Sequence, residues 1–419
     1  MSMTACPPPA SRTSRSETRT ASGQLTQARN WRHTRHNARN IFLCAARVQP
    51  TATALEQLQT QHASECWALA AEAAIRTHQE PLFQHLVARH CPQAPLHLAI
   101  KHTLETQKKL HAFRWEELRE SLSGVLEALA QAGVQPLLLK GAGCVGDLYH
   151  LPHLRPMRDL DILVRATELQ VAEKALTAWG FTHSKHLSNE DYEDHHHAEP
   201  LFHPQTGVCV ELHHDPICKS AKLPGVPSPD EFWNAARESR VPLSSGPQPA
   251  VTQAFVLEPT FVLLVTCLHF THGDHIGDRV AHLFDLARLF ELRGEELDWE
   301  RLLHYGRFPA VASSLALTLL YLNLEGLPSG PASVLEQLCR TSELRPWEIR
   351  SLVSLIDRYR IGLPGRRPGI SPRIGNILWR RLLERQSLWK RGRQGLRDVL
   401  SRGRHSREYH RAKRTMETT

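Results

Sequence analysis

No stretch of this 419-residue chain stays apolar long enough for a membrane-spanning helix, which needs roughly 18 residues, so no transmembrane segment is expected. There is no CxxC pair either. The nine cysteines (6, 44, 66, 91, 144, 209, 218, 267 and 339) are scattered and odd in number. They leave no disulfide framework and imply reduced thiols in a cytosol. Acids are nearly missing from both ends. Residues 1–50 hold one, Glu17, against eight Arg and no Lys, a net +7; residues 373–419 hold four against fourteen Lys and Arg, a net +10. The whole chain is +8, so residues 51–372 carry −9. Basic ends on an acidic middle suit an anionic partner, a membrane surface or nucleic acid, or simply solvated tails. The N-terminus also lacks the apolar core of a secretory signal. Its Arg, Ser and Thr fit an organellar transit peptide, plain disorder or an over-early start codon equally.

What is present divides the chain into six parts. Residues 1–50 read as a disordered basic segment. Residues 51–133 are helical: Leu55, Leu58, His62, Cys66 and Trp67 are spaced for one face, and Leu118, Leu122, Val125, Leu126 and Leu129 mark an amphipathic helix that Gly133 stops. Residues 134–217 alternate strand and helix patterns. Residues 218–250 are rich in Pro and Ser and read as a loop or linker. Residues 251–360 are helical, with a nearly all-apolar, buried helix over 310–324. Residues 361–419 form a basic tail in which Ile377, Leu378, Leu382, Leu388 and Trp389 suit an amphipathic helix resting on an anionic surface.

The chemistry concentrates between Leu137 and Val164. An apolar run ends in Lys140, followed by Gly141-Ala142-Gly143 and a short helical pattern over 144–149. Asp159-Leu160-Asp161-Ile162-Leu163-Val164 closes the stretch. On a strand, alternate side chains share a face, so Asp159 and Asp161 project together about 7 Å apart while Leu160 and Ile162 enter a core. Two ionised carboxylates side by side need a compensating cation, and Mg²⁺ is the usual one where phosphates bind. A second alternating strand, Val208–His213, puts Cys209, Glu211 and His213 on one face. The Pro-Gln-Thr-Gly before it signals a hairpin with 198–203.

Lys140-Gly141, Tyr149, Arg155 and the Asp159-x-Asp161 strand, in this order, resemble the nucleotidyltransferases of the DNA polymerase β superfamily. The closer likeness is to the uncharacterised nucleotidyltransferase family, in which a Glu-Leu-His similar to Glu211-Leu212-His213 also follows. The likeness runs over about residues 80–330, where His269, His272, Arg279 and Asp285 match the family's helical segment loosely. It implies an α+β fold: a nucleotidyltransferase-fold mixed sheet with flanking α-helical regions and disordered basic termini. It further implies a Mg²⁺-dependent transfer of a nucleoside monophosphate from an NTP to a hydroxyl of a small molecule, sugar or peptide, with release of pyrophosphate.

By the same resemblance Asp159, Asp161 and Glu211 are the catalytic metal ligands of a two-metal site. Asp161 would bridge the ions, and Glu211 would help accept the acceptor's proton. Lys140, Gly141, Gly143 and Arg155 would bind the nucleotide, the glycines through backbone N–H groups and Lys140 or Arg155 as a cationic clamp. Members of the superfamily more often have Gly-Ser where this chain has Gly141-Ala142. That departure keeps open a catalytically silent nucleotide- or partner-binding relative, antitoxin-like or a scaffold. A nucleic-acid-binding protein acting through its basic ends is a third reading. The expected location is the cytosol, with peripheral membrane contact through the tail.

The histidines raise the question of zinc. His195-His196-His197, His213-His214 and His269, His272 and His275 are all possible ligands. Three adjacent histidines are expected to point in different directions, however, and no Cys/His block has zinc-finger spacing, so structural zinc is not expected.

Overall fold

The structure is a computed structural model that describes residues 21–60, 63–184, 192, 195–218, 223–242, 251–272, 279–342 and 344–356. The basic tail and the first twenty residues lie outside the described residues. Among the described residues seven strands form one mixed sheet: β1 (Leu137–Leu138), β2 (Asp159–Leu163), β3 (Thr182–His183), β4 (Leu201–Phe202), β5 (Cys209–His213), β6 (Ala236–Pro242) and β7 (Val251–Leu257). Their order is β3-β4-β5-β2-β1-β7-β6. β2 runs parallel to β5 and antiparallel to β1, and β1 is parallel to β7. The expected α+β architecture is what the chain adopts.

Helices cover both faces. Before the sheet come α1 (Ala21–Cys44), α2 (Ala52–Thr60), α3 (Ser64–Arg76), α4 (Glu80–His90) and α5 (Leu98–Gln131). Within it lie α6 (Lys140–Cys144), α7 (Leu169–Trp179) and α8 (Pro229–Asn234). After it come α9 (Pro259–His272), α10 (Arg279–Arg293), α11 (Trp299–Tyr305), α12 (Pro309–Leu324), α13 (Ala332–Thr341) and α14 (Pro346–Leu355).

The alternation of each strand decides which layer it meets. Leu160, Ile162, Val210 and Leu212 join Trp115, Leu118, Leu122, Val125 and Leu129 of α5 and Ala172 and Leu176 of α7 in one core. These α5 positions recur at helical spacing and make a single apolar face. Gly133, at φ 71°, ends the helix without Cβ strain, and Gly180, at φ 118°, does the same for α7. The opposite sheet face, which carries Asp161, looks toward the second core, built by α1, α3, α4, α9, α10 and α12. α9 and α12 are apolar almost all round and correspondingly buried.

Several expectations need correction. Residues 1–50 do not read as one disordered segment, because α1 occupies 21–44. Ala38, Ile41, Phe42, Leu43, Ala45 and Ala46 are buried in the second core. The Arg-rich composition masked a short apolar cluster that a helix gathers onto one side. Arg39 donates to Tyr321 Oη at 2.7 Å and pairs with Glu325, so part of the basic charge ties this helix to α12. The segment read as a linker, 218–250, contains α8, opened by a Ser228/Glu231 capping box, and β6. The region read as helical from 251 opens with β7. The short helix expected over 144–149 lies at 140–144.

Candidate functional site

The sheet centre brings the acids together. β2 and β5 pair in a register that sets Asp161 opposite Glu211 and Leu163 opposite His213. Asp161, Glu211 and His213 are buried, at 3%, 8% and 0% exposure. One ligand atom from each lies within 4.8 Å of the others, an arrangement able to hold a metal ion. Lys140 enters from the end of β1. Its Nζ lies 2.6 Å from Asp161 Oδ1, and His213 Nε2 lies 2.9 Å from the same oxygen. Lys140 has φ 45°, a left-handed conformation that non-glycine residues seldom hold without a local reason. The adjoining Leu139 N–H donates to the Asp161 carbonyl at 2.9 Å, which fixes the turn against β2.

The charges are mutually stabilised. Burial works against the Lys140 ammonium, but Asp161, Glu211 and Asp159 outweigh it and raise its pKa above the ordinary lysine value. Burial likewise opposes ionisation of Asp161, yet Lys140 and His213 hold its carboxyl below the usual range. Glu211 is buried too, and His197, His213 and Lys140 keep it well below its ordinary value. Against burial, the hydrogen bonds to Asp161 and Glu211 raise the His213 imidazole. A divalent cation is the kind of ligand such paired, ionised carboxylates accept. The residues present fit one, with two oxygen donors of the sort Mg²⁺ prefers and one imidazole that softer ions prefer.

Not every expected residue joins this group. Asp159 sits two positions before Asp161 on the same face, half-buried and in register with Cys209. It contributes to the field at Lys140 but stands outside the 4.8 Å group. Gly141 and Gly143 answer to packing. A Cβ at Gly141 would lie 2.5 Å from Met157 Sδ, and one at Gly143 would lie 2.6 Å from the Leu138 carbonyl oxygen. The Gly143 N–H donates to Leu139 O at 3.0 Å, so it is already engaged inside the protein. Arg155, expected as a phosphate clamp, is buried and aimed elsewhere. Its Nε and Nη2 donate to the two oxygens of Asp285 at 2.8 and 2.9 Å, and Tyr149 Oη donates to Asp285 at 2.7 Å. The bidentate geometry of guanidinium and carboxylate makes this a structural fork between the loop before β2 and α10.

Of the residues matched loosely in the helical segment, Asp285 is the Arg155 partner, and His272 Nε2 is 3.1 Å from Ser314 Oγ inside the core. His269 Nε2 contacts Pro216 O at 3.1 Å. The Arg279 side chain and His275 lie outside what the structure describes. A cleft beside Lys140 is lined by Gly143, Thr266, His269, His282 and Asp285 together with Leu138 and Leu257. Thr266 and His282 carried no signal in the sequence, because they lie in helices that read simply as apolar or amphipathic.

The adjacent histidines depart most from expectation. Ligand nitrogens of His195, His196 and His197 lie within 4.8 Å of one another. Burial, followed by the neighbouring His213, lowers the His196 pKa, and His197 is pushed down to about 4, burial again dominating. These rings stand against the site, with the His196 and His197 centroids 5.1 and 5.2 Å from that of His213.

A mixed sheet with an aspartate and a glutamate facing each other on adjacent strands, a lysine on the aspartate and helical layers on both sides defines an α+β protein of nucleotidyltransferase-like fold. A family model described as an uncharacterised nucleotidyltransferase matches residues 63–324, more than half of the chain, and the chain belongs to that family. General nucleotidyl transfer, and with it an NTP substrate, follows from that membership. No curated protein and no solved structure matches the chain. Among the described residues no helix is long and apolar enough to cross a membrane.

Proposed function

We propose that the chain moves a nucleoside monophosphate from an NTP to a hydroxyl-bearing acceptor and releases pyrophosphate, with Asp159, Asp161 and Glu211 as the metal-holding carboxylates. The observation that carries this reading is the Asp161–Glu211 pair across β2 and β5 with the Lys140 ammonium 2.6 Å from Asp161. When bound, a pair of Mg²⁺ ions would neutralise charge on the attacking and leaving oxygens. Every other part belongs to the protein, as positioning and electrostatics dominate phosphoryl-type transfer. The acceptor oxygen forms a bond to the α-phosphorus as the bond from that phosphorus to the bridging oxygen of pyrophosphate breaks. The acceptor's proton leaves for solvent by way of Glu211, whose carboxyl is held too acidic to keep it. Asp161 holds the central position, and Asp159 supplies a further carboxylate on the same strand face. Lys140, whose side chain is one-quarter exposed, is the cation nearest the reacting phosphates. Arg155 acts at a distance by fixing Asp285 and Tyr149 behind the turn.

The test is to incubate the full chain with labelled NTPs, Mg²⁺ or Mn²⁺ and a panel of hydroxyl acceptors, and to follow pyrophosphate. Wild type should release it. Asp161→Asn should lower the rate by about 100-fold or more, the scale of losing one preorganised electrostatic group. An Asp161→Asn protein as active as wild type would sink the assignment. A second reading, nucleotide binding without turnover, is favoured by two features of the turn: Ala142 offers no hydroxyl, and the Gly143 N–H is spent on Leu139. Calorimetry showing metal-dependent NTP binding with no pyrophosphate across the panel would select it.

A further inference from the structure

We propose that His195, His196 and His197 bind a second cation, a divalent transition metal of the zinc class, beside the carboxylate group, which the new site meets through the His213 ring. Three consecutive histidines on an extended chain would spread their rings to opposite sides. Here the backbone bends at 195 and 196, and residue 197 bridges to residue 213 on β5. The bend turns the three imidazoles toward one another, with nitrogens within 4.8 Å. Tyr192 packs against two of them, its ring centroid 5.1 Å from that of His195 and 5.5 Å from that of His197. A tetrahedral zinc ion with Zn–N near 2.0–2.1 Å separates its nitrogens by about 3.3 Å, so small side-chain rotations would close the set.

A second observation is independent of that convergence. Metal-binding histidines characteristically give their other ring N–H to a carboxylate or a backbone carbonyl, which fixes the tautomer and leaves the second nitrogen's lone pair for the ion. His197 Nδ1 lies 2.7 Å from the Ala198 carbonyl oxygen, so Nε2 carries the lone pair. His213 places Nε2 on Asp161 at 2.9 Å, while its buried Nδ1 has no hydrogen-bond partner among the described residues. A buried polar atom without a partner is costly, and the ring stands about 5 Å from His196 and His197. His213 Nδ1 is thus the fourth ligand nearest to hand. Mg²⁺ prefers oxygen and would avoid an all-imidazole set; zinc-class ions favour it. A cation on Nδ1 would also strengthen the Nε2–H donor that grips Asp161, coupling the two sites. This proposal does not depend on the nucleotidyl-transfer reading.

The test uses the full chain stripped with chelator, titrated with Zn²⁺ alone by calorimetry and with Co²⁺ alone by visible absorption. One Zn²⁺ per chain is expected to bind with a dissociation constant below about 1 μM, tighter than any ion that must displace Lys140 from Asp161, and Co²⁺ should show the intense ligand-field bands of a four-coordinate imidazole site. His196→Gln and His197→Gln should each weaken Zn²⁺ by about 100-fold or more. His195→Gln and His196→Gln change partly exposed side chains, so a thermal melt in chelator unchanged from wild type checks that folding is intact. In Glu211→Gln the single Zn²⁺ should remain. Absence of binding, binding indifferent to the loss of His196 and His197, or binding lost in Glu211→Gln would each overturn the proposal, the last by moving the ion to the carboxylates. Zinc bound as expected by a protein that releases no pyrophosphate would retire the enzymatic reading alone.

Discussion

Replacing Arg155 by Met separates a scaffold role from a phosphate-binding one. In the folded protein the guanidinium gives two charge-assisted hydrogen bonds to Asp285, at 2.8 and 2.9 Å, and the two side chains are 7% and 3% exposed. Truncation leaves the Asp285 carboxylate buried with, among the described residues, only the Tyr149 hydroxyl to answer it. Hydrogen bonds to charged groups are worth about 1.5–3 kcal/mol each, and stripping one member from a buried ion pair costs about 3–5 kcal/mol. The two figures agree, so a loss of about 3–5 kcal/mol is expected. With a urea m-value near 3 kcal/mol/M, the upper end for small proteins, the midpoint should fall by about 1–2 M. Urea unfolding followed by tryptophan fluorescence measures it. The double variant Arg155→Met/Asp285→Leu should recover most of the loss, because replacing both partners of a buried pair by apolar groups is often neutral. A single variant with an unmoved midpoint and weakened NTP binding would refute this reasoning and restore Arg155 as a clamp.

Lys140→Met removes the cation that holds Asp161 and Glu211 when no divalent ion is bound, so Mn²⁺ affinity measured by calorimetry should rise about tenfold or more while pyrophosphate release falls; weaker Mn²⁺ binding would contradict the competition. Gly143→Ala pushes a Cβ to 2.6 Å from the Leu138 carbonyl oxygen and should cost about 1–3 kcal/mol, and an unchanged melting temperature would contradict the packing reading. His85 is pushed down to about 4, first by burial and then by His150, Arg89 and Arg288, against an ordinary value near 6.5. The unfolded chain therefore takes up this proton before the folded one. The group's contribution is complete above about pH 6.5 and is lost as the pH falls toward 4. The urea midpoint should drop between pH 7 and pH 5, and the drop should shrink in His85→Gln; an identical drop in that variant would count against it.

The centre of the sheet was readable because its signals are local. Asp159–Val164 and Val208–His213 alternate cleanly, and the observed strands, Asp159–Leu163 and Cys209–His213, begin and end within a residue of that pattern. The alternation alone put Glu211 and His213 on one face. Other features depend on pairings no window contains. β7 begins with three residues of mixed character and runs into an apolar helix, so its strand identity comes from its bonds to β1 and β6. The fate of Arg155 was set by an aspartate 130 positions away. Glycine near a lysine suggests a phosphate cradle, whereas a Cβ at Gly143 would strike the Leu138 carbonyl and one at Gly141 would displace the Met157 side chain. The three adjacent histidines are expected to point in different directions, and the bend at 195 and 196 turns them together instead.

The placement of β7 has a practical consequence. The strands that hold the acids end at residue 213, yet among the described residues the outer side of β1 is satisfied by residues 251–257, which return to it after about forty intervening positions. A fragment cut just after β5 would bare that backbone ladder. Unsatisfied strand edges recruit other chains, so such a fragment would self-associate in place of remaining a minimal enzyme. An expression fragment for this protein needs the later strands and the helices anchored behind them.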